Sequence, residues 1–154
     1  MLRGPDSIKG LTLIEIIFVV MLLGIITIIA IPRFRSDFST KQRVKSEAQE
    51  IASNIRYTRR LAVTDIDATR YIIRFFYATN EYGIYRNSVN IANLVDDFIP
   101  IPPEITASGE RRIRYYPQGN CDLMDSGVID ISAGGHSYTI TVQTATGRVR
   151  VIEN

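Results

Sequence analysis

Apolar residues are spread very unevenly along this 154-residue chain. From Leu11 to Ile31, a stretch of twenty-one positions, only Thr12, Glu15 and Thr27 carry polar side chains. At a rise of about 1.5 Å per residue, a helix of that length covers about 31 Å, close to the hydrocarbon thickness of a bilayer. The run predicts one membrane-spanning helix over 11–31, preceded by a short head, 1–10, that contains Arg3 and Lys9. Basic residues there orient the helix with its start on the cytoplasmic side and the remainder of the chain outward. The run is too long for an ordinary secretory signal, whose apolar core has roughly 7 to 15 residues.

Beyond Pro32 the period changes. Phe34, Phe38, Val44, Ala48, Ile51, Ala52, Ile55 and Ala62 recur mostly at three- and four-residue steps, which predicts an amphipathic helix over 32–64. Its other face, with Arg33, Arg35, Lys41, Arg43, Glu47, Glu50, Arg56 and Arg59, reads as solvated or turned to neighbouring subunits. Pro32 removes a backbone hydrogen bond and predicts a kink where the two halves meet.

From residue 65 onward the pattern is that of strands and turns. Tyr71–Tyr77 and Tyr82–Arg86 read as a strand pair around Asn80. The stretch 87–109, interrupted by Ile99-Pro100-Ile101-Pro102-Pro103, reads either as a surface loop or as a loop hiding a short strand. Arg111–Tyr116, Val128–Ser132, Tyr138–Gln143 and Arg148–Ile152 follow, separated by Gly119, Gly127, Gly134-Gly135 and Gly147, and read as an antiparallel meander. In the last two, Tyr138, Ile140, Val142, Val149 and Val151 alternate with polar residues, giving one buried and one wet face. The expected class is α+β: a long N-terminal helix, half anchor and half amphipathic, packed on a small antiparallel β-sheet head at 65–154.

Composition narrows the function. With 45% hydrophobic and 22% charged residues, the chain suits one globular head. The net charge is +2, and without residues 1–10 it has 16 basic against 15 acidic side chains, so global charge favours no partner. A lone Cys121 excludes an internal disulfide, and there is no Cys/His cluster for a metal. Asp96-Asp97 and Asp122 with Asp125 are too sparse for a calcium loop, so no cofactor is expected. His136, the single histidine, is placed in a hairpin turn beside Gly134-Gly135, and Cys121 lacks a recognisable Cys-His arrangement. These features argue against an enzyme.

The most informative residue is Glu15. Insertion scales penalise an acidic residue in an apolar span by up to about 3 kcal/mol at the centre, so Glu15 needs a partner. The order Gly10-Leu11-Thr12-Leu13-Ile14-Glu15 supplies one if a peptidase cuts after Gly10 and frees a charged amine on Leu11 of a neighbouring subunit. A basic leader ending in glycine, then an apolar helix with glutamate fifth after the cut, resembles the type IV prepilin motif. That resemblance implies a pilin fold, cleavage by prepilin peptidase between Gly10 and Leu11, N-methylation of Leu11, and a role for Glu15 in docking into a filament. Pro32 also sits where many pilins have a proline.

A helix followed by a strand-rich head ending in Thr146-Gly147-Arg148-Val149-Arg150-Val151 is similar to the GspH/FimT family of minor subunits. The resemblance implies a minor pseudopilin of a type II secretion system, or a minor pilin. Such a subunit would wait in the bacterial inner membrane with its head in the periplasm. An inner-membrane platform would then assemble it with other pilins or pseudopilins. A second expectation is FimT-like DNA capture through Gly147-Arg148-Val149-Arg150. Alternation sets Arg148 and Arg150 on one face about 6.6 Å apart, where both can grip phosphates. The same arginines also suit protection of a C-terminal edge strand.

Overall fold

The computed structural model describes the backbone from Thr12 to Asn154, and the side chains of 12–27 and 38–154. The chain divides into two compact units, Met1–Phe38 and Ser39–Asn154. Helix α1, Leu13–Thr64, begins in the first and ends in the second. Its N-terminus is set by Thr12, whose carbonyl accepts from the amides of Glu15 and Ile16. The helical run includes Pro32, but the side chain there lies outside the described residues, as do Gly10 and Leu11. Among the described residues, no helix is long and apolar enough to cross a membrane.

In the second unit the helical stripe is buried as its spacing predicts: Val44, Ala48, Ile51, Ala52, Ile55 and Ala62 are all inaccessible. Two residues depart from the expected division of faces. Phe38, assigned to the apolar stripe, is 66% exposed, and Glu47, assigned to the wet face, is buried.

Among the described residues, nine strands form two antiparallel sheets. The first is ordered β3-β2-β1-β5-β6, built from β1 Tyr71–Phe76, β2 Glu81–Arg86, β3 Ile99–Pro100, β5 Arg112–Tyr115 and β6 Cys121–Leu123. The second is ordered β4-β7-β8-β9, built from β4 Thr106–Gly109, β7 Val128–Ala133, β8 His136–Val142 and β9 Val149–Glu153. Register puts like with like on the inner faces: Ile73 opposes both Ile84 and Ile113, and Ile129 opposes Ile140. Both inner faces and the α1 stripe share one core. Each isoleucine withdrawn from water there contributes about 1.5–3 kcal/mol.

The expected single meander is corrected. The strand at 112–115 pairs with β1 and β6, while β7 pairs with β4 and continues through β8 to β9, so the C-terminal half serves two sheets. Alternation marks which face of a strand is apolar and says nothing of which neighbour it takes. Residues 87–109 are also more ordered than a loop. They contain a 3-10 turn, Ile91–Asn93, capped by the Asn90 side chain, and then β3 and β4. Pro100 is tolerated because β3 is an edge strand. The stretch straps the outer face of β2, where a Cβ on Gly83 would lie 2.9 Å from Leu94 and 3.2 Å from Phe98. Glycine is needed at that position for close approach. His136 is the first residue of β8 and pairs with Ala133, so the turn is Gly134-Gly135 alone, both at positive φ as a tight hairpin requires.

Candidate functional site

Two surfaces carry the residues singled out by sequence. The first is the start of α1. The large apolar side chains from Leu13 to Ile26 are between 47% and 79% exposed, and Glu15 lies in the first turn. A continuous uncovered apolar surface of this kind marks a site for lipid or for other protein. Glu15 is its one ionisable group among the described residues.

The second is the C-terminal edge of the second sheet. Arg148 directly precedes β9 and Arg150 lies within it; both are exposed. Both line an open groove of about 430 Å³ with Thr141, Gln143, Val149 and Ile152. Neither guanidinium forms a salt bridge among the described residues. The preceding turn is rigidly seated. Gly147 is buried at φ +62, and a Cβ there would lie 2.5 Å from the Gly119 carbonyl and 2.9 Å from Nε of Arg59. Its amide donates to Gln143 O at 2.8 Å, and the Gln143 amide donates to Arg148 O at 3.0 Å.

The helix arginines read as solvated serve this turn. Arg59 Nε donates to Gly119 O at 3.0 Å, and Arg56 donates to Val149 O at 3.3 Å. Sequence could not show this, because the acceptors are backbone carbonyls 60 and 93 positions away. The glycine thus fits a crowded turn, and that turn presents the two following arginines to one groove.

Titratable groups elsewhere have structural surroundings. Burial pushes the Cys121 thiol up to about 11, which disfavours the thiolate a nucleophile requires. The Tyr71 hydroxyl donates to Asp65 at 2.6 Å, and with Arg86 it holds the Asp65 carboxyl below its usual range. Among the described residues, no group of three His, Cys, Asp or Glu side chains is arranged to hold a metal ion. A carboxylate missed entirely by sequence reasoning, Glu110, is fully buried where the two sheets meet.

No family model matches the chain, and no curated protein matches it. Two solved structures of the minor pseudopilin EpsH, from the type II secretion system of Vibrio cholerae, are similar to it. One superposes with a TM-score of 0.55 at 12% identity, over 72% of this chain and 97% of that one. The other gives 0.55 at 10% identity, over 73% and 94%. At such identity the likeness is one of architecture, and by that architecture the chain has the pilin-like α+β fold of a minor pseudopilin.

Proposed function

We propose that the chain is a minor pseudopilin or pilin subunit: a prepilin cut after Gly10, methylated on Leu11, and assembled into a periplasmic filament through the apolar start of α1. The observation that carries this reading is the pairing of an EpsH-like head with an uncovered apolar helix whose first turn holds Glu15. Before assembly the apolar residues 11–31 rest in the inner membrane with the head in the periplasm. During assembly they leave lipid and pack against other subunits, driven by an inner-membrane platform. Glu15 then meets the charged terminus of a neighbour, an attraction strengthened by low-dielectric surroundings. The work is association, with no turnover and no cofactor.

The test combines processing with incorporation. Mass spectrometry of the N-terminus is expected to show methylated Leu11 in cells with prepilin peptidase and intact Met1 in cells without it. Intact Met1 in both overturns the processing. Glu15→Ala is expected to insert in the membrane normally and to lower filament incorporation about tenfold, the effect of losing about 1.4 kcal/mol of docking energy. Normal incorporation would show the carboxylate to be dispensable.

DNA capture is a second reading, supported by the shared groove of Arg148 and Arg150. Arg148→Ala with Arg150→Ala is expected to weaken duplex binding in a mobility-shift assay and to flatten its salt dependence by about two charges. Unchanged mobility removes this reading and leaves the arginines as guards of an edge strand.

A further inference from the structure

Negative charge gathers in a cavity of about 290 Å³ between α1 and the segment joining β3 to β4. Glu47 and Glu50 enter from one side and Glu104 from the other; Pro102 and Ile105 form apolar wall. Arg43, one turn before Glu47, donates to Glu104 at 2.9 Å. Among the described residues, Glu47 and Glu50 form no salt bridge, and the cavity holds one guanidinium against three carboxylates. Glu47 is only 8% exposed as a residue, and its carboxylate faces the open side of the cavity, where water still reaches its oxygens. The Tyr82 hydroxyl accepts from Asn54 Nδ2 at 2.8 Å.

We infer that this cavity receives a lysine or arginine side chain from a neighbouring subunit of the filament. The inference rests on the assembly role proposed above. A half-buried carboxylate beside two others costs free energy in the isolated chain, and glutamine would fill the same volume without charge. An incoming cation relieves that cost, lays its aliphatic stem on Pro102 and Ile105, and sets its head among the carboxylates. A metal ion is a poorer occupant, because these carboxylates are not arranged as a ligand set.

The groups facing Glu47 make such docking depend on pH. Burial first, then the charges of Glu50 and Glu104, push its carboxyl up to about 7. Arg43 is engaged by Glu104, and Tyr82 carries no charge in this range. A cation pairs with the ionised form, so docking releases a proton and strengthens as pH rises to the plateau above 7. Affinity at pH 8 is expected to be roughly tenfold higher than at pH 6, the ratio of ionised fractions.

The test uses the full chain in detergent micelles, titrated with n-propylguanidinium chloride against sodium chloride of equal ionic strength. The carboxyl carbon resonance of Glu47, assigned by its loss in Glu47→Gln, is the readout. Saturation by the guanidinium, weakened in Glu50→Gln and about tenfold stronger at pH 8 than at pH 6, is expected. A response identical to that of sodium chloride overturns the site. In a second arm, assembled filaments are treated with a water-soluble carbodiimide, which joins a carboxylate to an amine in contact with loss of water. Linked peptides are then identified by mass spectrometry, with arginine contacts read as protection of the three glutamates from amidation by added glycinamide. A link from residue 47, 50 or 104 to another subunit, or that protection, supports the inference. Neither in intact filaments overturns the neighbour as occupant. If no filament forms at all, the proposed function fails, and the micelle titration still decides the cavity.

Discussion

Replacing Glu110 by alanine is expected to lower the stability of the head by about 4 kcal/mol, a loss large enough to leave much of a marginally stable domain unfolded. The residue is fully buried, and its two carboxylate oxygens accept from four backbone amides. Arg112 donates at 3.1 Å, Met124 at 2.8 Å, Asp125 at 3.1 and 2.9 Å to the two oxygens, and Gly127 at 2.9 Å. Its own backbone is held as firmly, with its amide on Val128 O at 2.7 Å and its carbonyl accepting the Tyr77 hydroxyl at 2.6 Å. The location explains the density of bonds. Glu110 sits between β4 of one sheet and β5 of the other, and three of the amides it gathers, those of Met124, Asp125 and Gly127, belong to the connection from β6 back to β7, the fourth being the first of β5. One side chain therefore closes two of the three crossings between the sheets, β4 to β5 and β6 to β7. Gly109 prepares the corner at φ +111, where a Cβ would lie 2.2 Å from Val128 O. Alanine at 110 would leave those amides without their acceptor, at a cost of about 1–3 kcal/mol for each that stays dry. Glutamine is expected to recover less than half, because its NH2 would face donors. Denaturant titration of the full chain in detergent, followed by near-UV circular dichroism, checks this. A loss below about 1 kcal/mol would mean that water replaces the carboxylate freely.

Why sequence reading reached the helix face and most strands, yet missed Glu110, follows from where the determining information lies. Burial of Val44, Ala48, Ile51, Ala52 and Ile55 is written in local spacing, because a helix turns at a fixed period. The inward set Tyr138, Ile140 and Val142 is equally local. Gly-Glu-Arg-Arg at 109–112, by contrast, looks like a polar turn, and its burial depends on amides 14 to 17 residues further on. Glu47 is similar: with Arg43 and Glu50 on the same helix it reads as a solvated face, until the 102–105 segment is laid across it. The candidate site shows the same division. Gly10, Leu11 and Glu15 were legible as a contiguous motif, and Arg148 with Arg150 by alternation. The crowding that selects Gly147 was not, since Gly119 and Arg59 reach it from distant parts of the chain.

Glu47→Gln is expected to stabilise the isolated chain at pH 8 by about 1–2 kcal/mol and to leave it nearly unchanged at pH 4. The carboxyl is pushed from 4.5 to about 7, burial being the first cause and the charges of Glu50 and Glu104 the next. Between those values the folded chain keeps a proton that the unfolded chain has released. The unfolded state therefore binds fewer protons, and this residue's contribution to stability falls as pH rises through that window, then levels off above 7. At 1.36 kcal/mol per unit the displacement has a ceiling of about 3 kcal/mol, which water at the carboxylate reduces to about 1–2 kcal/mol. Glutamine resembles the protonated form at every pH, so it should match the parent in acid and exceed it in base, by about 5 °C in Tm for a head of this size. Asp65, Asp125 and Glu153 are shifted the opposite way by Tyr71 with Arg86, by Arg111 and by Lys41, and favour folding as pH rises. Both proteins share them, so they cancel in the difference between the two stability profiles. Parallel profiles from pH 4 to 8 would show that water reaches Glu47 well enough to keep its charge, and the cost that an incoming cation is proposed to relieve would vanish with it.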